Sequence, residues 1–226
     1  MSNNVCLSHV ISQDTPSYGN RDRVFIRTNS AIQKGDTANS SAWIFSNNHI
    51  GTHIDSPYHF CEKGKKTYEM SVDDYIFNQI QLIDIPCKEA GLIGVKDLGK
   101  ASSINNDVEL LLIRTGFENL RSDECYWNDN PGIAPELADF FRENYPKLRC
   151  IGFDCISLSS WKYRAEGCQS HQAFLCPEAG GKAIMVIEDM SLKLLKNQIN
   201  WVVVAPFFVE DGNGGAVTVF ANQKGS

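Results

Sequence analysis

The chain has 226 residues, 42% of them hydrophobic and 21% charged, values ordinary for a folded protein and a length that can bury a sizeable core. Its formal charge of −6 argues against nucleic acid or an anionic membrane surface as a partner. No apolar run is long enough to span a bilayer, and the opening MSNNVCLSHVISQD lacks the basic start and apolar centre of a secretory signal, so a cytoplasmic protein is expected.

In chain order, Met1–Asn4 are expected to fray, and so are Gln223–Ser226 at the other end. Between them, short apolar runs bounded by Gly, Pro, Asn or Asp predict strands at Val24–Arg27, Ala42–Phe45, Gln79–Ile85, Leu110–Ile113, Cys150–Phe153, Ile184–Ile187, Trp201–Val209 and Ala216–Phe220. Helices are fewer. Val95–Lys100 is a short candidate. Pro135–Tyr145 opens on Pro, carries Leu137, Phe140 and Phe141 on one face, and stops at Pro146. Ser191–Lys196 is a third, with Ser191 placed to cap it. This order, strands at both ends with strand and helix mixed between, predicts an α/β protein with a mixed sheet, in one domain over residues 1–226. Asp211-Gly-Asn-Gly-Gly215 reads as the hairpin turn between the last two strands, and turn chemistry alone accounts for its residues.

The eight cysteines, at positions 6, 61, 87, 125, 150, 155, 168 and 176, contain no Cys-x-x-Cys pair and are expected to be reduced, mostly buried thiols. Cys168 and Cys176 flank His171, which leaves a Cys–His nucleophile as a competing reading.

The densest chemistry lies in Asn48-His-Ile-Gly-Thr-His-Ile-Asp-Ser-Pro-Tyr-His59, which holds three of the chain's five histidines. The four-residue step from His49 to His53 fits a helical metal motif, but Gly51, Thr52, Ile54 and Pro57 disfavour a helix. As an extended segment, alternation would put His49, His53, Asp55 and His59 on one face, with Gly51 allowing a close approach. The plain alternative is a solvated loop or a His–Asp hydrogen-bond network. Four such groups on one face favour a metal site, and imidazole nitrogen with carboxylate oxygen suits Zn²⁺ or Mn²⁺. Further ligands must come from elsewhere; of the remaining histidines, His9 is expected to be structural and His171 follows an irregular loop.

His49-x-Gly51-Thr52-His53-x-Asp55-x-Pro57-x-His59 resembles the signature HxGTHxDxPxH of the cyclase-like metal-dependent hydrolases, the family of bacterial kynurenine formamidase and isatin hydrolase. Leu7-Ser8-His9-x-Ile11 with Asp14-Thr15-Pro16, Leu112-Ile113-Arg114-Thr115-Gly116, Ile151-Gly152-Phe153-Asp154, His171, Glu188 and Asp211-Gly212 resemble further elements of that family. The resemblance implies a swivelling β/β/α-type fold and a metal pair, usually zinc, sometimes manganese. It implies His49, His53 and Asp55 on one ion, with Asp55 bridging to a second held by His171 and Glu188, Glu188 as a further candidate bridge, and His59 as the proton shuttle. It further implies a small-molecule substrate and a homodimer or homotetramer. Arg114 is read as an ion-pair partner rather than a site residue. Tyr18 stands where the formamidases usually carry a pocket-lining Trp, and Cys176–Gly181 reads as an insertion beside the site. The expected activity is hydrolysis of an amide, lactam or lactone bond in a small aromatic molecule. The alternatives are a biosynthetic cyclase or dehydratase on the same metal scaffold, and a non-catalytic homologue that binds a small molecule.

Overall fold

The computed structural model describes residues 3–99, 103–177, 181–196 and 198–224. The strands are β1 (Asn4–Cys6), β2 (Val24–Ser30), β3 (Ser40–Phe45), β4 (His53–Asp55), β5 (Ile76–Phe77), β6 (Ile80–Asp84), β7 (Leu92–Ile93), β8 (Leu110–Arg114), β9 (Gly132–Ile133), β10 (Cys150–Phe153), β11 (Met185–Glu188), β12 (Ile199–Pro206) and β13 (Gly214–Gln223). The helices are α1 (Val95–Leu98), α2 (Cys125–Asn128), α3 (Glu136–Asn144) and α4 (Arg164–Leu175).

Nine strands form one mixed sheet in the order β5-β12-β13-β4-β11-β10-β8-β6, with β1 also pairing β13. The β11-β10-β8-β6 half is parallel, and the rest is antiparallel. Both faces of the parallel half are buried, which is why its strands read as continuous apolar runs. Leu111, Ile113, Ile151, Phe153 and Val186 turn to one face and pack with Leu137 and Phe141 of α3 and Phe174 of α4. Leu110, Leu112, Cys150, Met185 and Ile187 turn to the other and pack with Phe77, Val202, Val204 and Val219. Helices thus cover one face and antiparallel strands the other, the α/β arrangement anticipated from the sequence. The β2–β3 ribbon and the β7–β9 pair stand outside this sheet. Among the described residues no helix is long and apolar enough to cross a membrane.

Several local expectations need correction. The expected helix at Ser191–Lys196 is a turn. Two side chains take up its backbone groups: Arg114 Nη1 donates to the Leu192 and Leu195 carbonyls at 3.2 and 2.9 Å, and Glu118 Oε2 accepts from the Leu192 amide at 2.9 Å. The same Arg114 pairs bidentately with Asp84, as its ion-pair reading required. β12 stops at Pro206, short of the expected Val209, and β13 runs longer than Ala216–Phe220. The ends are tied where fraying was expected: Asn4 pairs with Asn222, and the Gln223 amide donates to the Asn3 carbonyl at 2.8 Å. Residues 1–2 and 225–226 of those expected tips lie outside the described residues, as do Lys100 of the first helix and 178–180 of the expected insertion.

The longest helix, α4, is absent from the expected elements. Its buried positions are Gly167, Ser170, His171, Phe174 and Leu175, spaced as a helix requires but filled largely by small and polar residues, so no apolar stripe marks it. Nor are all cysteines free. Cys61 and Cys176 form a disulfide, because the turn after His59 meets the C-terminal end of α4 with Cα atoms 4.9 Å apart. Cys6 and Cys168 are exposed rather than buried.

Candidate metal centre

The histidine-rich segment is not one extended strand. Gly51 sits at φ +72°, and a Cβ there would lie 2.3 Å from Ile11 Cδ1, so the chain turns sharply at a position only glycine fits. Only His53–Asp55 is strand, and Pro57–His59 is a tight 3₁₀ turn. Alternation therefore aligns His53 with Asp55 alone. His49 returns from before the Gly51 turn and His59 from the turn after the strand, and their rings stack with centroids 4.1 Å apart. The four groups converge, but by turns rather than by pleat.

Strand pairing supplies the next residue. β4 lies between β11 and β13, with Glu188 opposite His53 and Gly214 opposite Asp55. Directly opposed residues of antiparallel strands share a face, so Glu188 joins the cluster as the lateral neighbour of His53. His171 arrives from α4. A Cβ at Gly167 would lie 2.2 Å from Ser159 Oγ, so glycine is what lets α4 approach the 157–160 loop closely enough to deliver that histidine.

The geometry is compact. His53 Nε2 lies 3.2 Å from Glu188 Oε2 and 3.6 Å from Asp55 Oδ1. His171 Nε2 lies 3.4 Å from Glu188 Oε1 and 3.5 Å from Asp55 Oδ2. Each imidazole is oriented from behind: His53 Nδ1 donates to the Gly51 carbonyl at 2.8 Å and His171 Nδ1 to the Gly167 carbonyl at 2.9 Å. A carbonyl can only accept, so Nδ1 carries a proton on both rings, and it is Nε2 that faces the carboxylates and becomes a free lone pair when its proton leaves. His49 differs. Its Nδ1 is 2.8 Å from Asp55 Oδ1, while its Nε2 lies 3.0 Å from Asn48 Nδ2 and 3.1 Å from Asn213 Oδ1. His59 makes no side-chain hydrogen bond among the described residues. Two groups of possible metal ligands result, both containing Asp55: His53–Asp55–Glu188, and His49–Asp55–His59. The resemblance implied a different partition, with His49 and His53 on the same ion.

These residues fit a divalent cation. His53 Nε2 and Asp55 Oδ2 are fully buried and, for all their closeness to Glu188 and His171, make no hydrogen bond among the described residues, a costly state for polar atoms in a native interior. Ligands sharing one tetrahedral ion at about 2.0–2.2 Å stand about 3.4 Å from one another, close to the spacings above. The electrostatics agree. Burial disfavours charge on His53 and His171, but the Glu188 and Asp55 carboxylates outweigh it and raise these imidazoles to about 9 and about 10. Burial likewise opposes charge on the carboxylates, yet His171 and His53 hold Glu188 down to about 2, and His49 with His171 holds Asp55 well below the usual range. His59 goes the other way: burial, reinforced by His49, lowers it to about 4 against the pull of Asp55. Its ring is neutral at pH 7.

Other contributors leave little trace in the sequence. Glu188 Oε1 accepts from the Leu158 amide at 2.5 Å and lies 3.3 Å from Ser157 Oγ, and Ser159 Oγ lies 3.2 Å from His171 Nδ1; the Ser-Leu-Ser-Ser run after β10 is the one sequence sign of this loop. The Asp211–Gly215 segment does join β12 to β13, but it is more than a turn. Besides the Asn213 contact with His49, a Cβ at Gly214 would lie 2.7 Å from His49 Cε1 and 2.7 Å from the Ile54 carbonyl oxygen. Tyr18 is half-buried and donates its hydroxyl to the Ser160 carbonyl at 3.1 Å, one residue from Ser159, with burial raising its pKa to about 12. Its ring meets Trp161 edge-on at 4.9 Å, and Phe60 stacks on His171 at 4.8 Å. The Cys–His nucleophile is overturned: both His171 nitrogens are engaged as described, Cys176 is bonded to Cys61, and Cys168 is exposed.

The chain is similar to known proteins. The Cyclase family model, described as "Putative cyclase", matches residues 5–160, a span that holds Tyr18 and the His49–His59 segment but not His171 or Glu188. A kynurenine formamidase of Bacillus thuringiensis is 31% identical over 173 residues, covering 75% of this chain and 73% of that protein. Isatin hydrolase A from Ralstonia solanacearum has a similar fold, with a TM-score of 0.76 at 18% identity over 96% of this chain and 90% of that one. A structure described as a potential metal-dependent hydrolase with cyclase activity aligns with a TM-score of 0.72 at 19% identity, over 98% of each chain.

Proposed function

The chain belongs to the Cyclase family, and from that premise we propose that it is a metal-dependent hydrolase cleaving an amide, lactam or lactone bond of a small aromatic molecule, with N-formyl anilides of the N-formylkynurenine type as the best-fitting class. One observation carries the reading: buried ligand atoms of His53 and Asp55, without a hydrogen bond among the described residues, face Glu188 and His171 at ion-sharing distances. His53, His171, Asp55 and Glu188 would hold one cation. Asp55 turns Oδ1 to His49 and His53 and Oδ2 to His171, so it is the residue able to span a second position beside His49. Bound there, Zn²⁺ or Mn²⁺ would polarise the scissile carbonyl and lower the pKa of a water.

The remaining chemistry belongs to the chain. The neutral ring of His59 takes the proton of the attacking water at a free ring nitrogen. Its low pKa makes the resulting imidazolium a strong donor, which passes the proton to the leaving nitrogen. Phe60, Tyr18 and Trp161 offer aromatic surface near this centre, which supports a flat aromatic substrate. A homodimer or homotetramer is also proposed. The β2–β3 ribbon supports it, with Phe25 and Ile44 exposed on one face and Ile26 and Trp43 on the other. Such a ribbon is marginally stable alone, and a monomer in sedimentation would remove this part of the reading.

The test is metal analysis of the purified protein, followed by turnover of a formyl-anilide panel in H₂¹⁸O. Bound metal and labelled formate are expected. No metal, and no activity after adding Zn²⁺ or Mn²⁺, overturns the proposal. Turnover without label would instead indicate a cyclisation, and metal without turnover on any substrate class a binding protein.

A further inference from the structure

Beside the metal centre lies a second buried polar cluster with no part in the proposed chemistry. Asp189 follows Glu188 at the end of β11, in the left-handed region at φ +51°, which L side chains rarely adopt. Its buried carboxylate is gripped on both oxygens. Arg121 Nε donates to Oδ1 at 2.8 Å and Nη2 to Oδ2 at 2.6 Å, while the Tyr126 hydroxyl donates to Oδ1 at 2.5 Å. The backbone of Asp189 is held as firmly: its amide donates to the Cys155 carbonyl at 2.8 Å, and its carbonyl accepts from Thr52 Oγ1 at 2.5 Å. Thr52 precedes His53, and its oxygen accepts from the His9 amide at 2.9 Å.

A buried ion pair is a poor way to gain stability, since desolvation offsets most of its attraction, and a glycine could take this φ at less cost. What the clamp does provide is direction. Asp189 is bonded to Glu188 on one side and, through Thr52, fastened to the residue before His53 on the other. The two side chains it brackets face each other at 3.2 Å. We propose that Asp189, Arg121 and Tyr126 are positioning residues that fix the Glu188 carboxylate against His53, so that metal affinity and coordination geometry depend on them. The inference rests on the metal-site reading above.

The test uses Asp189→Asn, which tolerates the left-handed backbone but loses the charge; Arg121→Lys, which keeps the charge but loses the two-pronged grip; and Tyr126→Phe, which loses only the hydroxyl. Affinity for Co²⁺ is read by competition with a chelator, and coordination by the visible spectrum of the Co²⁺-loaded protein. Melting in chelator separates folding from binding. Residues that orient ligands from behind typically contribute about 10–100-fold in metal affinity. Asp189→Asn should lose about that much and change the Co²⁺ spectrum, with smaller losses for the other two. If Asp189→Asn fails to fold, the two milder variants decide the matter. Wild-type binding with folded variants that match it in affinity and spectrum overturns this inference alone. Absence of metal binding by the wild-type protein overturns the metal-site reading and this inference with it.

Discussion

Two buried aspartates, in neighbouring parts of the same sheet, behave in opposite ways. Asp154, after β10, accepts at Oδ1 from the Thr115 amide and hydroxyl, both at 2.7 Å, and at Oδ2 from the Gly116 amide at 2.8 Å. Every one of these donors belongs to the chain, and together they knot the ends of β8 and β10. Asp55, in β4, lies against the imidazoles of His49, His53 and His171, and its Oδ2 has no hydrogen-bond partner among the described residues. The first carboxylate is completed by the fold. On the proposed reading, the second would be completed by a cation. Burial of charge is tolerated where partners are sufficient, so a deficit at equal burial separates a residue kept for binding from one kept for architecture.

The sharpest way to break this contrast is to remove each carboxylate. Asp55→Ala should abolish metal binding and turnover, because it takes the one residue common to both ligand groups. Asp154→Ala should bind metal as the wild type does but lose stability, about 1–3 kcal/mol for the donors left without a partner. Metal analysis and denaturant unfolding of both variants check the pair. A metal-replete Asp55→Ala would erase the distinction.

Next in size, His59→Ala should keep its metal and lose turnover by about 10²–10⁴-fold, the usual contribution of a general acid–base. Steady-state kinetics on the metal-loaded variant measures this, and full activity would remove His59 from the chemistry. Asn213→Ala should cost less, about 10–100-fold in affinity or activity, by releasing the ring of His49 behind Asp55. Chelator competition on this variant reads that loss, and an unchanged affinity and rate would reduce Asn213 to turn chemistry.

The same contrast explains what the sequence could reveal. Strands such as Leu110–Arg114 and Cys150–Phe153 are legible because burial on both faces demands an unbroken apolar run. The ligand types in His49–His59 are legible because their density has few other uses. The path of that segment is not, since Gly51 and the 3₁₀ turn replace the pleat that alternation assumes. The α4 helix is hidden because the face it buries carries Gly167, Ser170 and His171 to suit the site rather than the core. Asn213 and Gly214 are read as turn residues because their contact with His49 is made across 164 and 165 positions of chain, beyond any local pattern.

The smallest expected effect concerns pH, and its sign follows from the cluster. The pKa values of His53 and His171 rise to about 9 and about 10 in the folded chain, above the about 6.5 of an unfolded one. A group raised on folding adds stability that is fully present below its unfolded pKa and is lost as pH rises through its folded one. In chelator, the protein should therefore be most stable toward pH 6 and weaken between about pH 7 and 10. Metal competes with the same protons, so its affinity should climb over that interval and its binding should release protons to the buffer. Denaturant melts at several pH values, with chelator and with Zn²⁺, read both trends. The two should oppose each other: the carboxylates hold protons on the imidazoles when no cation is present and hold the cation when it is. A chelated protein whose stability stayed flat from pH 6 to pH 10 would mean that Asp55 and Glu188 exert no such pull. The difference between Asp55 and Asp154 would then be one of hydrogen-bond geometry and not of charge.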